Sequence, residues 1–253
     1  MKGPRWDSGS VRYGFTLLEL LVLLAIAAVL AAVLFPVTGE VRDRARGAVC
    51  ASNLGQLVQG MYRYAYDHEG MFPPPQDQSL HSGPFPSVPF SMNTWHLYLI
   101  PYIGYEWSTD EMVDLFAQGV TWRSNSEEAM LLNCPSTLEE LAPLPDFDSA
   151  YLNPWYHYGL NADLPNRALG VDRRSGVNVT IDELLYPAET MAILETWDWS
   201  AIWHREIADG SGFAQIPHGM AANVAFYDGS VRRIGYEELI AIESDSRFWT
   251  GGY

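Results

Sequence analysis

The chain has 253 residues, 48% of them hydrophobic and 18% charged, a balance that can bury a sizeable core and does not fit a disordered chain. Its 15 Lys and Arg stand against 31 Asp and Glu, a net charge of −16. Binding a polyanion means neutralising phosphates with clustered cations, so this balance sets nucleic acid aside as a partner.

Residues 1–14 form a short stretch in which Lys2, Arg5 and Arg12 outnumber Asp7. From Leu20 to Val37 there are 18 consecutive residues without a charge, and Phe15 to Leu18 extend the apolar run across Glu19. A bilayer-spanning helix needs roughly 20 apolar residues, whereas the core of a secretory signal has about 7–15, so the run is expected to stay in the protein as a membrane helix. Glu19 does not fit an ordinary anchor, because an acidic side chain at mid-membrane costs at least ~2.5 kcal/mol. Either it has a function, or it lies near the helix end and reaches the headgroups. Arg42, Arg44 and Arg46 follow the span, partly balanced by Glu40 and Asp43, so flanking charge alone leaves the orientation undecided.

Beyond Gly39 the helical pattern continues, with Cys50, Leu54, Leu57, Met61 and Tyr64 on one face that should pack on a globular domain. Gly70 and Pro73-Pro74-Pro75 stop it, giving a helix from 15 to about 67 that would be ~75–80 Å long at 1.5 Å per residue. Pro36 removes a backbone donor inside this helix and is expected to kink it. Residues 70–91 read as a surface loop, Thr94–Ile100 and Thr109–Ala117 as short helices, and Met130–Cys134, Thr190–Leu194 and Val224–Tyr227 as strands. Around Asp228-Gly229, the strand-like runs from Asn223 to Ile234 read as a hairpin with a type I′ turn. The fold class expected is α+β, a long N-terminal helix packed on an antiparallel sheet.

Two cysteines, Cys50 and Cys134, permit one intramolecular disulfide in an exported chain; the other reading is two buried small hydrophobes. His218 and Asp228 could form a metal or acid/base pair, but the structural reading is favoured: Asp228 bonds within its turn and His218 fixes the chain entering the strand. Glu189, Glu195, Asp198, Glu206 and Asp209 are close in sequence, yet a calcium site needs 6–8 oxygens that this spacing does not define, so they read as a solvated acidic face. Trp197, Trp199 and Trp203 are either core filling or, if exposed together, a contact for a glycan or a protein. There is no His-Glu-x-x-His, no Gly-x-Ser-x-Gly and no phosphate-binding glycine loop. No enzyme activity, metal or cofactor is therefore expected.

Gly14-Phe15-Thr16-Leu17-Leu18-Glu19 followed by an apolar stretch resembles the cleavage and methylation motif of type IV pilins and type II secretion pseudopilins, with a basic leader before it and Pro36 at the place of a common helix-kinking proline. His218 followed after nine residues by Asp228-Gly229 resembles the C-terminal motif of a large pseudopilin-like family. Cys50-Ala-Ser-Asn53-Leu54-Gly-Gln56, Phe72-Pro73-Pro74, Cys134-Pro135-Ser136 and Tyr158-Gly159-Leu-Asn161 agree with that family too, so the likeness is scattered over most of the chain. The tryptophan-rich stretch Glu195–Glu206 departs from it.

The resemblance implies a pilin-like fold and a division into a leader (1–14), the membrane half of the helix (15–37), its outer half (38–69) and a globular domain (70–253). It implies that a prepilin peptidase cuts between Gly14 and Phe15 and N-methylates Phe15, and that Glu19 meets the Phe15 ammonium of a neighbouring subunit during assembly. It places the chain in the inner membrane with a single pass and its C-terminal domain outside the cytoplasm. The expected partners are that peptidase, other pilin or pseudopilin subunits, the membrane, and a secreted substrate or glycan. The rival expectation is a membrane-anchored envelope module, binding a glycan or protein or acting as an enzyme, that never polymerises.

Overall fold

The computed structural model of the protein describes residues 15–75, 95–104, 131–132, 134–136, 157–164, 179–196, 201–202, 207, 221–243 and 246–251. The chain divides into two compact units, Met1–Arg42 and Asp43–Tyr253.

One helix, α1, runs from Leu17 to Asp67 and includes Pro36. From Phe15 to Ala32 its described side chains are solvent-exposed, Phe15 at 76% and Leu17 at 83% among them. Among the described residues no helix is long and apolar enough to cross a membrane; the described side chains of the Leu20–Val37 run end at Ala32. In its second part the spacing of apolar residues sets the packing. Cys50, Leu54, Leu57, Met61 and Tyr64 are all buried, joined by Val58 and Ala65. The helix ends where Glu69 and Gly70 both adopt positive φ, 54° and 83°, and the Gly70 N–H bonds back to the Ala65 carbonyl at 2.8 Å. Left-handed backbone cannot continue a right-handed helix, and the proline run beyond removes further donors.

The other elements are α2 (Trp95–Leu99), which continues into a 3-10 turn at Ile100–Tyr102, then β1 (Tyr158–Asn161), β2 (Met191–Glu195), β3 (Ala201–Ile202), β4 (Ala221–Phe226), β5 (Val231–Gly235), α3 (Tyr236–Ala241) and α4 (Arg247–Thr250). They build one sheet in the order β3-β1-β2-β4-β5. Four strands, β1-β2-β4-β5, are antiparallel to their neighbours, and the two-residue β3 adds to β1 in parallel. The fold is α+β, with an N-terminal helix and a mainly antiparallel sheet.

Strand alternation explains the two cores. In β4, Ala222, Val224 and Phe226 point to one side, where they pack with Met191, Leu194, Ile234, Leu239, Phe248 and Trp249 beneath α3 and α4. Ala225 and Tyr227 point to the other side and join Ile193, Tyr158, Leu160 and the buried face of α1. The sheet therefore separates the buried Cys50–Ala65 face of α1 from the C-terminal helices. Gly60 lets the 100–104 segment approach α1: a Cβ there would meet the Ile103 methyl.

One sequence expectation is corrected and one is met. Residues 131–132, expected within a strand, form a 3-10 turn, with Leu132 and Cys134 buried against the α1 core. The short helix expected at Thr94–Ile100 is present but gives way to a 3-10 turn at Ile100, where Pro101 supplies no N–H. The expected helix at Thr109–Ala117 and most of the 70–91 loop lie outside the described residues.

Candidate functional site

At the start of α1, Thr16 and Glu19 form a reciprocal cap. The Glu19 carboxylate accepts from the Thr16 N–H and from the Thr16 hydroxyl, both at 2.9 Å, and the Thr16 hydroxyl accepts from the Glu19 N–H at 3.2 Å. This is the Thr-x-x-Glu capping box, which satisfies backbone donors that the first turn of a helix leaves without partners. The spacing was legible in Thr16-Leu17-Leu18-Glu19, and it gives Glu19 a role within its own chain. Phe15 is exposed beside it. Gly14 lies outside the described residues, as does the Pro36 side chain.

The second cluster is buried where α1 meets the sheet. Cys50 of α1 and Cys134 form a disulfide with a Cα–Cα distance of 5.3 Å, and both residues are fully buried. Beside it Glu195, at the end of β2, is fully buried and held by Asn223 of β4. The Asn223 N–H donates to one Glu195 carboxylate oxygen at 2.7 Å and its side-chain amide donates to the other at 2.9 Å. The same amide donates to the Gly47 carbonyl of α1 at 3.1 Å. Asn53, one turn along α1 from Cys50, donates to the Tyr158 hydroxyl at 3.4 Å. A disulfide to Cys134, the Asn223 amide of β4 and an amide–phenol contact to Tyr158 of β1 thus tie the helix to the core, and the polar groups among them are partnered because a buried polar group without a partner would cost more than it contributes.

Two histidines complete the cluster. The His157 Nδ1 accepts the Cys134 backbone N–H at 3.1 Å, so this nitrogen is unprotonated and the proton resides on Nε2. Burial lowers the pKa of His157 to about 4. His96, stacked on Trp95 at 3.9 Å between ring centroids, is pulled well below its usual value by burial, with a backbone hydrogen bond to Tyr158 acting the other way and His157 adding to the depression. Both rings are neutral at pH 7.

Glu195 corrects the expectation of a solvated acidic face. The strand pattern held the signal: Glu195 lies two residues beyond Ile193, so strand alternation turns both toward the α1 core. Of the rest of that group, Glu189 is exposed and pairs with Arg247 at 3.1 Å, while Asp198, Glu206 and Asp209 lie outside the described residues. Asn223 and His157 were not singled out, since a lone Asn or His in a short apolar run carries no pattern of its own.

The hairpin between β4 and β5 is a three-residue loop, not the expected type I′ turn. The Gly229 N–H donates to the Phe226 carbonyl and the Phe226 N–H to the Ser230 carbonyl, both at 2.9 Å. Gly229 alone has positive φ, 85°, whereas a type I′ turn would need positive φ at Asp228 too. The cause is tertiary. The Tyr227 and Asp228 N–H groups donate to the Thr190 and Pro187 carbonyls, each at 3.1 Å, and this holds both residues in ordinary backbone conformations. The Asp228 carboxylate accepts from the Ser230 N–H at 2.9 Å and the Ser230 hydroxyl at 2.6 Å, the turn role expected of it. Burial and the nearby Asp228 charge raise the pKa of Tyr62. Gly229→Ala is expected to cost about 1–2 kcal/mol of stability in a urea titration, from left-handed strain alone, since nothing lies within 4 Å of the added Cβ. An unchanged midpoint would show that the turn relaxes.

His218, Trp197, Trp199 and Trp203 lie outside the described residues. Among the described residues, the metal-capable side chains that converge are Cys50, Cys134 and Glu195, whose ligand atoms lie within 4.8 Å of one another. As a disulfide with a neighbouring carboxylate, this group cross-links the fold and offers no activated nucleophile. No family model, no curated protein and no solved structure matches the chain.

Proposed function

We propose that the chain is the precursor of a pseudopilin or minor pilin, an assembly subunit and not an enzyme. The observation that carries the reading is α1: one helix from Leu17 to Asp67 whose apolar side chains are exposed in its first part and buried on one face from Cys50 to Ala65. A contiguous exposed apolar surface of this kind needs lipid or other helices around it. In this reading the membrane shields the segment 15–37 before assembly, the same segments of neighbouring subunits shield it afterwards, and the acidic domain lies outside the cytoplasm. Residues 1–14 are removed by a prepilin peptidase, taking Lys2, Arg5, Arg12 and Asp7 away and leaving a mature charge of −18 from the −16 of the whole chain.

Processing is tested by intact mass and N-terminal sequencing of protein from membranes of a host with a prepilin peptidase. A mature chain beginning at N-methylated Phe15 is the expected result. An uncut Met1, or a cut near Gly39, would overturn the pilin reading in favour of an ordinary anchored or secreted domain.

Glu19 can be tested for its two roles separately. Glutamine keeps an oxygen that can accept the Thr16 N–H but has no charge to meet the ammonium of a neighbouring Phe15. Glu19→Gln and Glu19→Ala are both expected to be processed normally and to drop out of sheared filaments by at least ~10-fold, the effect of losing about 1.4 kcal/mol or more from a buried charge pair. Normal incorporation of Glu19→Gln would reduce Glu19 to a helix cap.

A further inference from the structure

We propose that, when the Cys50–Cys134 bridge is in its dithiol form, Cys50, Cys134 and Glu195 bind one soft divalent cation, Zn2+ by preference, so that a metal replaces the covalent link between α1 and the core. The inference is independent of the filament reading.

The ligand atoms of the three residues already lie within 4.8 Å of one another, and all three residues are fully buried. Tetrahedral zinc with Zn–S near 2.3 Å and Zn–O near 2.0–2.2 Å sets neighbouring donors roughly 3.4–3.8 Å apart, so the two sulfurs must part from bonding distance, while a Glu195 carboxylate oxygen already lies 3.9 Å from the Cys134 Sγ. Two thiolates and one carboxylate suit a borderline-soft cation.

Charge is conserved as well. Two thiolates neutralise Zn2+, so the centre that replaces the bridge is as uncharged as the bridge itself, and the surroundings of Glu195 need not change. The carboxylate is also held in place in advance. Asn223 donates to both of its oxygens at 2.7 and 2.9 Å and is itself anchored on the Gly47 carbonyl. Partners of this kind, one step behind a ligand, fix its orientation and strengthen binding.

The balance is simple. The chain is synthesised with both thiols free; in the bridged protein, a dithiol reductant gives two electrons and two protons to the Sγ–Sγ bond and closes into its own cyclic disulfide. Metal binding then forms two metal–sulfur bonds and releases the two thiol protons to solvent.

The test uses the full chain in detergent, reduced without oxygen, with Co2+ as the spectroscopic probe and far-UV circular dichroism to follow folding. The expected result is one Co2+ per chain with sulfur-to-cobalt charge-transfer absorption, displaced by Zn2+. Cys50→Ser should abolish the absorption, Glu195→Gln should weaken binding at least ~10-fold, and the bridged chain should take up no Co2+. If the reduced chain unfolds without metal, Zn2+ should restore its dichroism. A folded reduced chain with no charge-transfer band would overturn the proposal, as would equal affinity in Glu195→Gln or an unfolded reduced chain that Zn2+ does not refold.

Discussion

In metal-free buffer, Cys134→Ser or reduction of the bridge is expected to lower the unfolding free energy by about 4.5 kcal/mol. The bridge joins residues 84 apart in sequence, and the loss of chain entropy in the unfolded state scales with the logarithm of that loop. The total stability of a domain is only about 5–15 kcal/mol, so the loss would leave a marginal fold. Urea unfolding of bridged and reduced protein, followed by circular dichroism with chelator present, measures it. A difference under about 1 kcal/mol would show that residual structure already restricts the unfolded chain as much as the bridge does. Adding Zn2+ to the reduced wild type, but not to Cys134→Ser, should recover part of the loss if the inferred site forms.

The architecture was legible where a residue pattern repeats. The 4-3-4-3 spacing from Cys50 to Tyr64 marked the buried face of α1 because a helix returns a side chain to one face at that interval. The stop near Asp67 followed from Gly70 and three prolines, and β2 and β4 from apolar runs at Thr190–Leu194 and Val224–Tyr227. Features fixed by contacts between distant residues were not legible. Asp228-Gly229 suits both a two- and a three-residue hairpin loop, and the longer one forms with the Tyr227 and Asp228 N–H groups on the Thr190 and Pro187 carbonyls, partners that lie far away in the sequence. Residues 131–132 form a 3-10 turn although their composition suits a strand, and the Cys134 that follows them is bound to Cys50 and to the His157 ring.

The polar centre under α1 is hidden for the same reason. Glu195 carries the strand-alternation signal, but Asn223, Asn53 and His157 are far apart in the chain and each is ordinary where it stands. Only the sheet register brings Glu195 beside Asn223, and only the seating of α1 brings Gly47 to the Asn223 amide. The centre ties the helix by directional bonds near Cys50, and the Arg63 guanidinium ties it again, farther along, to the Tyr102 carbonyl at 3.0 Å. Apolar burial alone would allow the helix to rotate or slide, whereas a misplaced helix would leave the Glu195 carboxylate, a charged acceptor, without its donors.

That centre should also make the domain acid-labile well above the range in which carboxylates titrate. His157 has a folded pKa of about 4, while an unfolded histidine titrates near 6.5. Above pH 6.5 the ring is neutral in both states and its contribution is fully present. Between pH 6.5 and 4 the unfolded chain binds a proton that the folded chain refuses, so stability falls as pH falls, by about 3 kcal/mol over the window from this ring alone. His96, lowered for the same reason, acts in the same direction. Protonation on Nδ1 would also remove the acceptor for the Cys134 N–H and set two donors against each other in a dry site. His157→Gln keeps an oxygen to accept that N–H and cannot titrate. Its urea midpoint should therefore change less between pH 7.5 and 4.5 than that of the wild type, by an amount equivalent to about 2 kcal/mol. Parallel curves for the two proteins would assign the acid lability to other groups and leave His157 a packing residue only.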